Sequence, residues 1–330
     1  MCRILRTFFF LVACLCVTLS LSKGDRKQLL AAETQPQLLV TTRELLIFVE
    51  GEQRHVAQAT GSSHNFKLVG TTSDGSALIA YVDFGTQRVE LLSRDLKTRT
   101  VKDFGHVPIS FIGPAGDGFL AFNTAAGLLF RYDLHGSLIG RPIAPYGVSA
   151  AIGLGTSVVT VGNGRLSVYD ESGRTHRQLV LEGDRLVALP GERFAVTDTE
   201  HSEVRVYTKE LELKSTLRFP NRRLLYLAAD PDGALAVVNG QPPRSCLNPD
   251  VEVDVFLDAN AQPTGRTRTN VPAPTAVALD KNGFYVANFP CRADEDGTVA
   301  AFASDGTPRG ITRILGTPNG LLPFTRAPTE

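Results

Sequence analysis

The chain has 330 residues, and its 34 Lys and Arg balance 34 Asp and Glu, leaving no net charge. A protein that grips nucleic acid through phosphate contacts carries an excess of Lys and Arg, which is absent here both overall and in any long run. The length suffices for one large repeat domain or two ordinary ones, and past the leader no segment stays apolar over the ~20 residues of a spanning helix.

Met1 to Arg6 carries two arginines and no acid. Thr7 to Leu19 is apolar apart from its two threonines, and Ser20-Leu21-Ser22 is a small-x-small triplet before Lys23. This order reads as a secretory signal peptide over 1–22, followed by a linker over 23–36 and one domain over 37–330. It predicts a protein that is secreted or held in the periplasm or cell envelope. An uncleaved anchor is the alternative, and Leu11-Val-Ala-Cys14 resembles a lipobox that would place a lipid on Cys14. Three of the five cysteines (Cys2, Cys14, Cys16) fall in the leader. The remaining pair, Cys246 and Cys291, reads in an exported chain as one disulfide, with two unrelated thiols as the alternative.

From about Leu38 onward a unit of about 40 residues recurs. Its clearest mark is a short apolar strand closed by an aromatic: Leu128 to Tyr132, Arg165 to Tyr169, Glu203 to Tyr207, Val253 to Phe256, Thr298 to Phe302. Within each unit apolar and polar residues alternate with period two, the strand signature. In Glu203 to Tyr207 the valines face one way, Glu203 and Arg205 the other. The dipeptides Asp74-Gly75, Asp117-Gly118, Asp232-Gly233, Asn282-Gly283 and Asp305-Gly306 read as hairpin turns with positive φ at both positions. Arg185 to Pro220 parses into four antiparallel strands, which is a propeller blade. The same parsing places blades at 67–105, 107–145, 146–183, 184–222, 223–270 and 271–315. Gln37 to Gly61 holds only three strands and lacks the innermost, while Thr317 to Phe324 is an inner strand without a blade. Together they complete a seventh blade and remove the open sheet edges. The expected fold is therefore an all-β propeller of seven four-stranded blades, with six as the alternative, closed by the N- and C-terminal strands.

Asp230-Pro-Asp-Gly-Ala-Leu-Ala-Val-Val-Asn239 and Asp280 to Asn288 resemble the D-x-x-G-x-hydrophobic-V-A-D/N hairpin of NHL-repeat propellers and of the related senescence-marker/gluconolactonase group. Ala195 to Tyr207 is similar to that family's second-to-third strand segment. The resemblance covers nearly the whole chain after the leader and implies architecture, since one superfold hosts many functions. The lactonase-type members hold calcium at the channel through Glu, Asn and Asp. Pro318-Asn319-Gly320-Leu321 is similar to their Asn-bearing segment, which makes Asn319 a weak calcium candidate, but no matching N-terminal glutamate motif is present.

Polar residues end the second strand of most blades: Asp83, Asn123, Asn163, Asp198, Asn239 and Asn288. They read either as turn caps or as a polar ring at the channel mouth. Two long segments, 240–250 and 289–297, fall between second and third strands of adjacent blades, each with one cysteine. A Cys246–Cys291 bridge would staple them into a lip presenting Arg244, Asn248, Asp250, Arg292, Asp294 and Glu295. Asp294-Glu-Asp296 could supply oxygens to calcium, though Asp296-Gly297 already reads as a turn. The six histidines are scattered without ligand spacing, and no nucleophile elbow, phosphate loop or His-Glu-x-x-His occurs. The sequence thus points to a non-catalytic binding or scaffold propeller for a protein or peptide, or less directly a small molecule, with no cofactor. A cation-dependent lactonase or lyase, using Asn319, Asn239, Asn288 and Asp198, is the alternative.

Overall fold

The computed structural model describes residues 37–42, 44–50, 53–59, 65–82, 87–240, 251–256, 265–267, 273–290 and 296–324. Among them every regular element is a strand. Blade 1 contains β1 (Gln37–Thr41), β2 (Leu45–Glu50) and β3 (Gln53–Ala59). Blade 2 is β4 (Asn65–Thr71), β5 (Ala77–Val82), β6 (Gln87–Leu92) and β7 (Thr98–Gly105). Blade 3 is β8 (Ile109–Pro114), β9 (Gly118–Asn123) and β10 (Leu128–Asp133). Blade 4 is β11 (Ala150–Leu154), β12 (Ser157–Gly162), β13 (Arg165–Tyr169) and β14 (Thr175–Val180). Blade 5 is β15 (Leu186–Leu189), β16 (Arg193–Asp198), β17 (Glu203–Thr208) and β18 (Leu213–Arg218). Blade 6 is β19 (Arg223–Ala229), β20 (Leu235–Gly240), β21 (Val251–Phe256) and β22 (Gly265–Thr267). Blade 7 is β23 (Pro274–Asp280), β24 (Gly283–Asn288), β25 (Gly297–Phe302) and β26 (Pro308–Ile314), and the tail strand β27 (Gly320–Pro323) follows.

The tail strand closes the ring. β27 pairs antiparallel with β1, Leu39 opposite Leu322 and Thr41 opposite Gly320, so blade 1 reads β27-β1-β2-β3. The innermost strands touch in the cycle β27, β4, β8, β11, β15, β19, β23 and back to β27. Seven blades is the count.

The aromatic that closes each third strand has a structural task. Tyr132 lies opposite Phe119, Tyr207 opposite Phe194, and Phe302 opposite Phe284. These rings stack with centroids 5.2, 5.9 and 4.9 Å apart. Such pairs add to area burial because offset π faces attract. Between blades aliphatic side chains dominate, with edge-on aromatic contacts such as Phe219 against Phe256 and Phe104 against Phe119. Val204 and Val206 of β17 meet Leu235 and Val237 of β20, and Val253 and Val255 of β21 meet Val277 and Val286 of blade 7. Each sheet is therefore buried on both faces, which is why near-continuous apolar runs such as Leu235 to Val238 form its middle.

Two expectations need correction. Blade 3 has three regular strands, and its fourth position is filled only by isolated bridges, Leu129 with Ile143 and Tyr132 with Leu138. Pro142 and Pro145 cannot donate to a ladder, so the segment beside β10 stays irregular. The Asp-Gly and Asn-Gly turns also work differently. Of those paired residues only glycines have positive φ: Gly75 at 81°, Gly233 at 99°, Gly283 at 152° and Gly306 at 85°. The cap is a side chain. Asp230 Oδ1 accepts from the backbone N–H of Asp232 and Ala234 at 3.0 and 2.8 Å. Asp133 and Asp170 do the same in Asp-x-x-Gly turns between third and fourth strands.

Candidate functional site

Antiparallel order within each blade puts the end of its second strand, the start of its third and the start of its first at one end of the sheet. In blade 6, Leu224, Asn239 and Glu252 are cross-strand neighbours; in blade 7, Pro274, Asn288 and Thr298. This end, repeated around the ring, is the face that sequence reasoning singled out.

The predicted polar ring divides into two kinds of residue. Asn123 and Asp198 are turn caps: Asn123 Oδ1 accepts from Ala126 N at 3.1 Å, and Asp198 Oδ1 from His201 N at 3.1 Å. Asp198 is buried and also holds Arg205 Nη2 at 2.9 Å and His201 Nδ1 at 3.0 Å. Arg205 in turn meets Glu203, which also binds Arg218. Asn163, at φ 48° just beyond β12, donates through Nδ2 to the carbonyl of Tyr146 at 3.0 Å. Asp83 lies outside the described residues.

Asn239 and Asn288 cap nothing. Asn239 is fully buried and donates through Nδ2 to Asp254 Oδ2 at 2.7 Å. Asn288, also buried, donates to Thr298 Oγ1 at 3.2 Å. The Oδ1 atoms of both have no hydrogen-bond partner among the described residues. A buried carbonyl left unpaired costs about 1–3 kcal/mol, so its retention at matching positions of two adjacent blades is a feature to be explained.

Sequence reasoning missed the polar base beside Asn239. Glu252 and Asp254 share one face of β21 and are buried, and Arg222, in the link between blades 5 and 6, brings Nη2 to 3.5 Å from Glu252 Oε2. Their signal was hidden: Val-Glu-Val-Asp-Val-Phe alternates like a strand with one wet face. The whole strand is buried, and the acids face the blade 5 side because their valine neighbours fill the blade 7 side.

Asn319 stands at the seam, its Oδ1 accepting from Thr41 Oγ1 at 2.8 Å and its backbone N donating to Thr41 O. No group of three or more His, Cys, Asp or Glu able to hold a metal ion occurs among the described residues. The lip residues Arg244, Asn248, Asp250, Arg292, Asp294 and Glu295, and both cysteines Cys246 and Cys291, lie outside the described residues. Their flanks do not: Gly240 and Val251 pair with one another, as do Asn288 and Thr298, so the intervening segments leave and re-enter the scaffold at this face. The leader, the linker and Cys14 also lie outside the described residues.

The same face carries exposed apolar side chains. Tyr146 is 64% exposed with the Arg165 guanidinium 4.5 Å from its ring centroid, and Phe289, immediately after β24, is 50% exposed. Val107 and Leu315 are exposed in the links that follow blades 2 and 7.

No family model matches the chain, and no curated protein matches it. Solved structures do. A protein from Lactobacillus plantarum aligns at TM-score 0.61 and 12% identity, over 87% of this chain and 98% of that one. A quinonprotein alcohol dehydrogenase-like protein from Bacteroides thetaiotaomicron aligns at TM-score 0.64 and 9% identity, over 88% and 78%. Kluyveromyces lactis Hsv2p aligns at TM-score 0.60 and 11% identity, over 84% and 96%. At such identities the likeness is one of fold, and it agrees with the propeller resemblance carried by the repeats.

Proposed function

We propose that this protein is an exported, non-catalytic propeller that binds a protein or peptide on the face where segments 241–250 and 291–295 join the scaffold. The observation that carries this reading is the company Phe289 keeps. A half-exposed aromatic stands at the root of one such segment, on a face that also presents Tyr146 beside Arg165, Val107 and Leu315. Aromatic and arginine side chains are the types that anchor protein interfaces.

The polar groups of this face support binding over turnover. Asp198 is held by Arg205 and His201, Asn319 by Thr41, and Asn239 by Asp254. Asp198, Asn319 and the amide nitrogen of Asn239 are engaged in fixing the scaffold, which suits a rigid platform from which longer loops present contacts. The proposed Cys246–Cys291 bridge would stiffen that platform further.

The test is capture from the native envelope with wild-type protein, Phe289→Asp, and a variant carrying a Gly-Ser segment in place of 241–250. A specific partner retained by the wild type and lost by both variants, each with unchanged melting temperature, is the expected result. A partner set identical for all three proteins would overturn the assignment of this face.

A further inference from the structure

The innermost strands carry a feature that partner binding on the outer face does not use. Lys67 lies on β4 and is exposed, and protein surrounds it closely enough that desolvation holds its ammonium below the ordinary lysine range. Among the described residues no carboxylate pairs with it. Its contact is the ring of Phe111 on β8, the next innermost strand, 4.9 Å from Nζ to the centroid. The innermost strands also carry the partly buried hydrophobics Leu68, Phe111, Val187, Leu225, Tyr226 and Leu322, beside a few polar positions such as the exposed Ser110 and Arg223. A second cation stands on the far side. Arg185, just before β15, lies 5.1 Å from the ring centroid of Tyr226 on β19, and its Nε has no hydrogen-bond partner among the described residues. Among the described residues the carboxylate within ion-pair range of it is Asp184 at 3.9 Å, which also accepts the Thr197 hydroxyl.

A lysine that solvent reaches but whose surroundings are partly desolvated, with a phenyl ring and no carboxylate beside it among the described residues, holds its charge less well than one in bulk water. That penalty falls when an anion arrives, since an ion pair is stronger where water is partly displaced. An apolar wall adds favourable area for any hydrocarbon that accompanies the anion. Small-ligand sites have this composition: mostly apolar lining with one or two placed polar groups.

We propose that the central channel binds an organic anion with an apolar body, a carboxylate of the aliphatic-acid class, with Lys67 as the charge anchor and Phe111 as the adjoining apolar contact. This site is independent of the partner face, because its residues belong to the innermost strands and not to the second-to-third strand loops.

The experiment uses octanoate as probe, with 1-octanol and octylamine as matched neutral and cationic controls, followed by calorimetry on the full mature chain. Octanoate should bind wild type more tightly than either control. Lys67→Met should weaken octanoate by at least about tenfold, and Lys67→Arg should retain it. Equal binding of octanoate and octanol, or unchanged octanoate affinity in Lys67→Met, would overturn the proposal. A photoreactive diazirine octanoate on unaltered protein gives a second readout that needs no variant. Label on the peptides bearing Lys67, Phe111 or Tyr226 supports the channel site. Label confined to outer strands such as those of Val180 or Ile311, which are 86% and 72% exposed, refutes it.

Discussion

Replacing Phe324 by alanine tests the seam directly. Phe324 is 3% exposed, its ring meets that of Phe48 edge-on at 5.9 Å between centroids, and its backbone N donates to Gln37 O at 2.9 Å. The substitution keeps the backbone bond and removes the ring, leaving a cavity against Leu39, Leu46 and Phe48. Phe→Ala in a core costs about 3–5 kcal/mol. With a denaturant slope of a few kcal/mol per molar, the urea midpoint should fall by about 1 M or more. Ile311→Ala is the matched control, because Ile311 is 72% exposed on the outer strand of the neighbouring blade, and its midpoint should barely move, by the equivalent of about 0.5 kcal/mol at most. Equilibrium unfolding followed by circular dichroism reads both. If Phe324→Ala behaves like Ile311→Ala, the tail does not seal the ring and the seven-bladed closure is wrong.

Further outcomes follow from other sites. Gly283→Ala should destabilise by about 1–3 kcal/mol, because a Cβ would meet Phe302 O at 1.9 Å at a φ of 152°, whereas Gly310→Ala, with nothing within 4 Å, should be neutral or stabilising; thermal melts compare them. Asp198→Ala removes a buried carboxylate from Arg205 and should cost about 3 kcal/mol by urea titration, while His201→Ala, at a half-exposed side chain, should cost under about 1 kcal/mol; equal effects would deny Asp198 its organising place. Burial and Asp280 raise the Tyr285 phenol above the ordinary tyrosine range, and burial and Glu90 do the same for Tyr81. Their folded-state values exceed the unfolded value near ~10, so the stability they contribute is complete below that pH and is lost as pH climbs through the folded-state values. Phenolate absorbance should therefore lag in the native protein and jump on alkaline unfolding, and a smooth titration of all tyrosines before unfolding would contradict the burial. Added calcium or EDTA should leave the melting temperature within about 1 °C, since Asp198 is paired with Arg205 and the Asn319 Oδ1 accepts from Thr41; a large calcium-dependent rise would favour the cation-enzyme alternative.

The architecture was readable because it rests on local signals repeated in register. Aromatics such as Tyr207 and Phe302 mark third strands because each stacks on a phenylalanine directly across the sheet. The seam was readable because Gln37 to Gly61 lacks one strand and the tail supplies one. Turn chemistry was half readable: the glycine needs its left-handed φ, but a capping Asp three residues earlier is an equally strong mark and was overlooked at Asp133 and Asp170. Leu96 and Leu211 take the same position at φ 65° and 62° and hide two more such turns, held by packing on the clusters around Leu92 and Tyr207. The site was least readable. Glu252 and Asp254 mimic a wet strand face, and whether Asn239 caps a turn or faces inward depends on its blade neighbours, which one strand's residues do not encode. Lys67 looks like any surface lysine until β8 is placed beside β4.

The two faces of the ring divide the chemistry, and the division follows from chain direction. Turns joining first to second and third to fourth strands fall on one face, where Asp74, Asp133, Asp170 and Asp305 accept backbone N–H groups from their own turns. All four carboxyls are held below the ordinary aspartate range, Asp74 and Asp170 chiefly by the Thr72 and Ser172 hydroxyls and then by backbone N–H groups, Asp133 and Asp305 chiefly by backbone N–H groups. With folded values depressed, whatever the turns gain from ionised caps is present above the unfolded pKa and lost as pH falls through the folded values. In these turns the carboxyls are spent on local backbone donors. The opposite face receives the links between blades and the second-to-third strand connections, whose lengths are free to vary because no ladder fixes them. There the ring keeps Asn239 and Asn288 uncapped and leaves Tyr146 and Phe289 in water. The proposed partner surface lies on the face of variable connections, where chain length can change without disturbing a ladder.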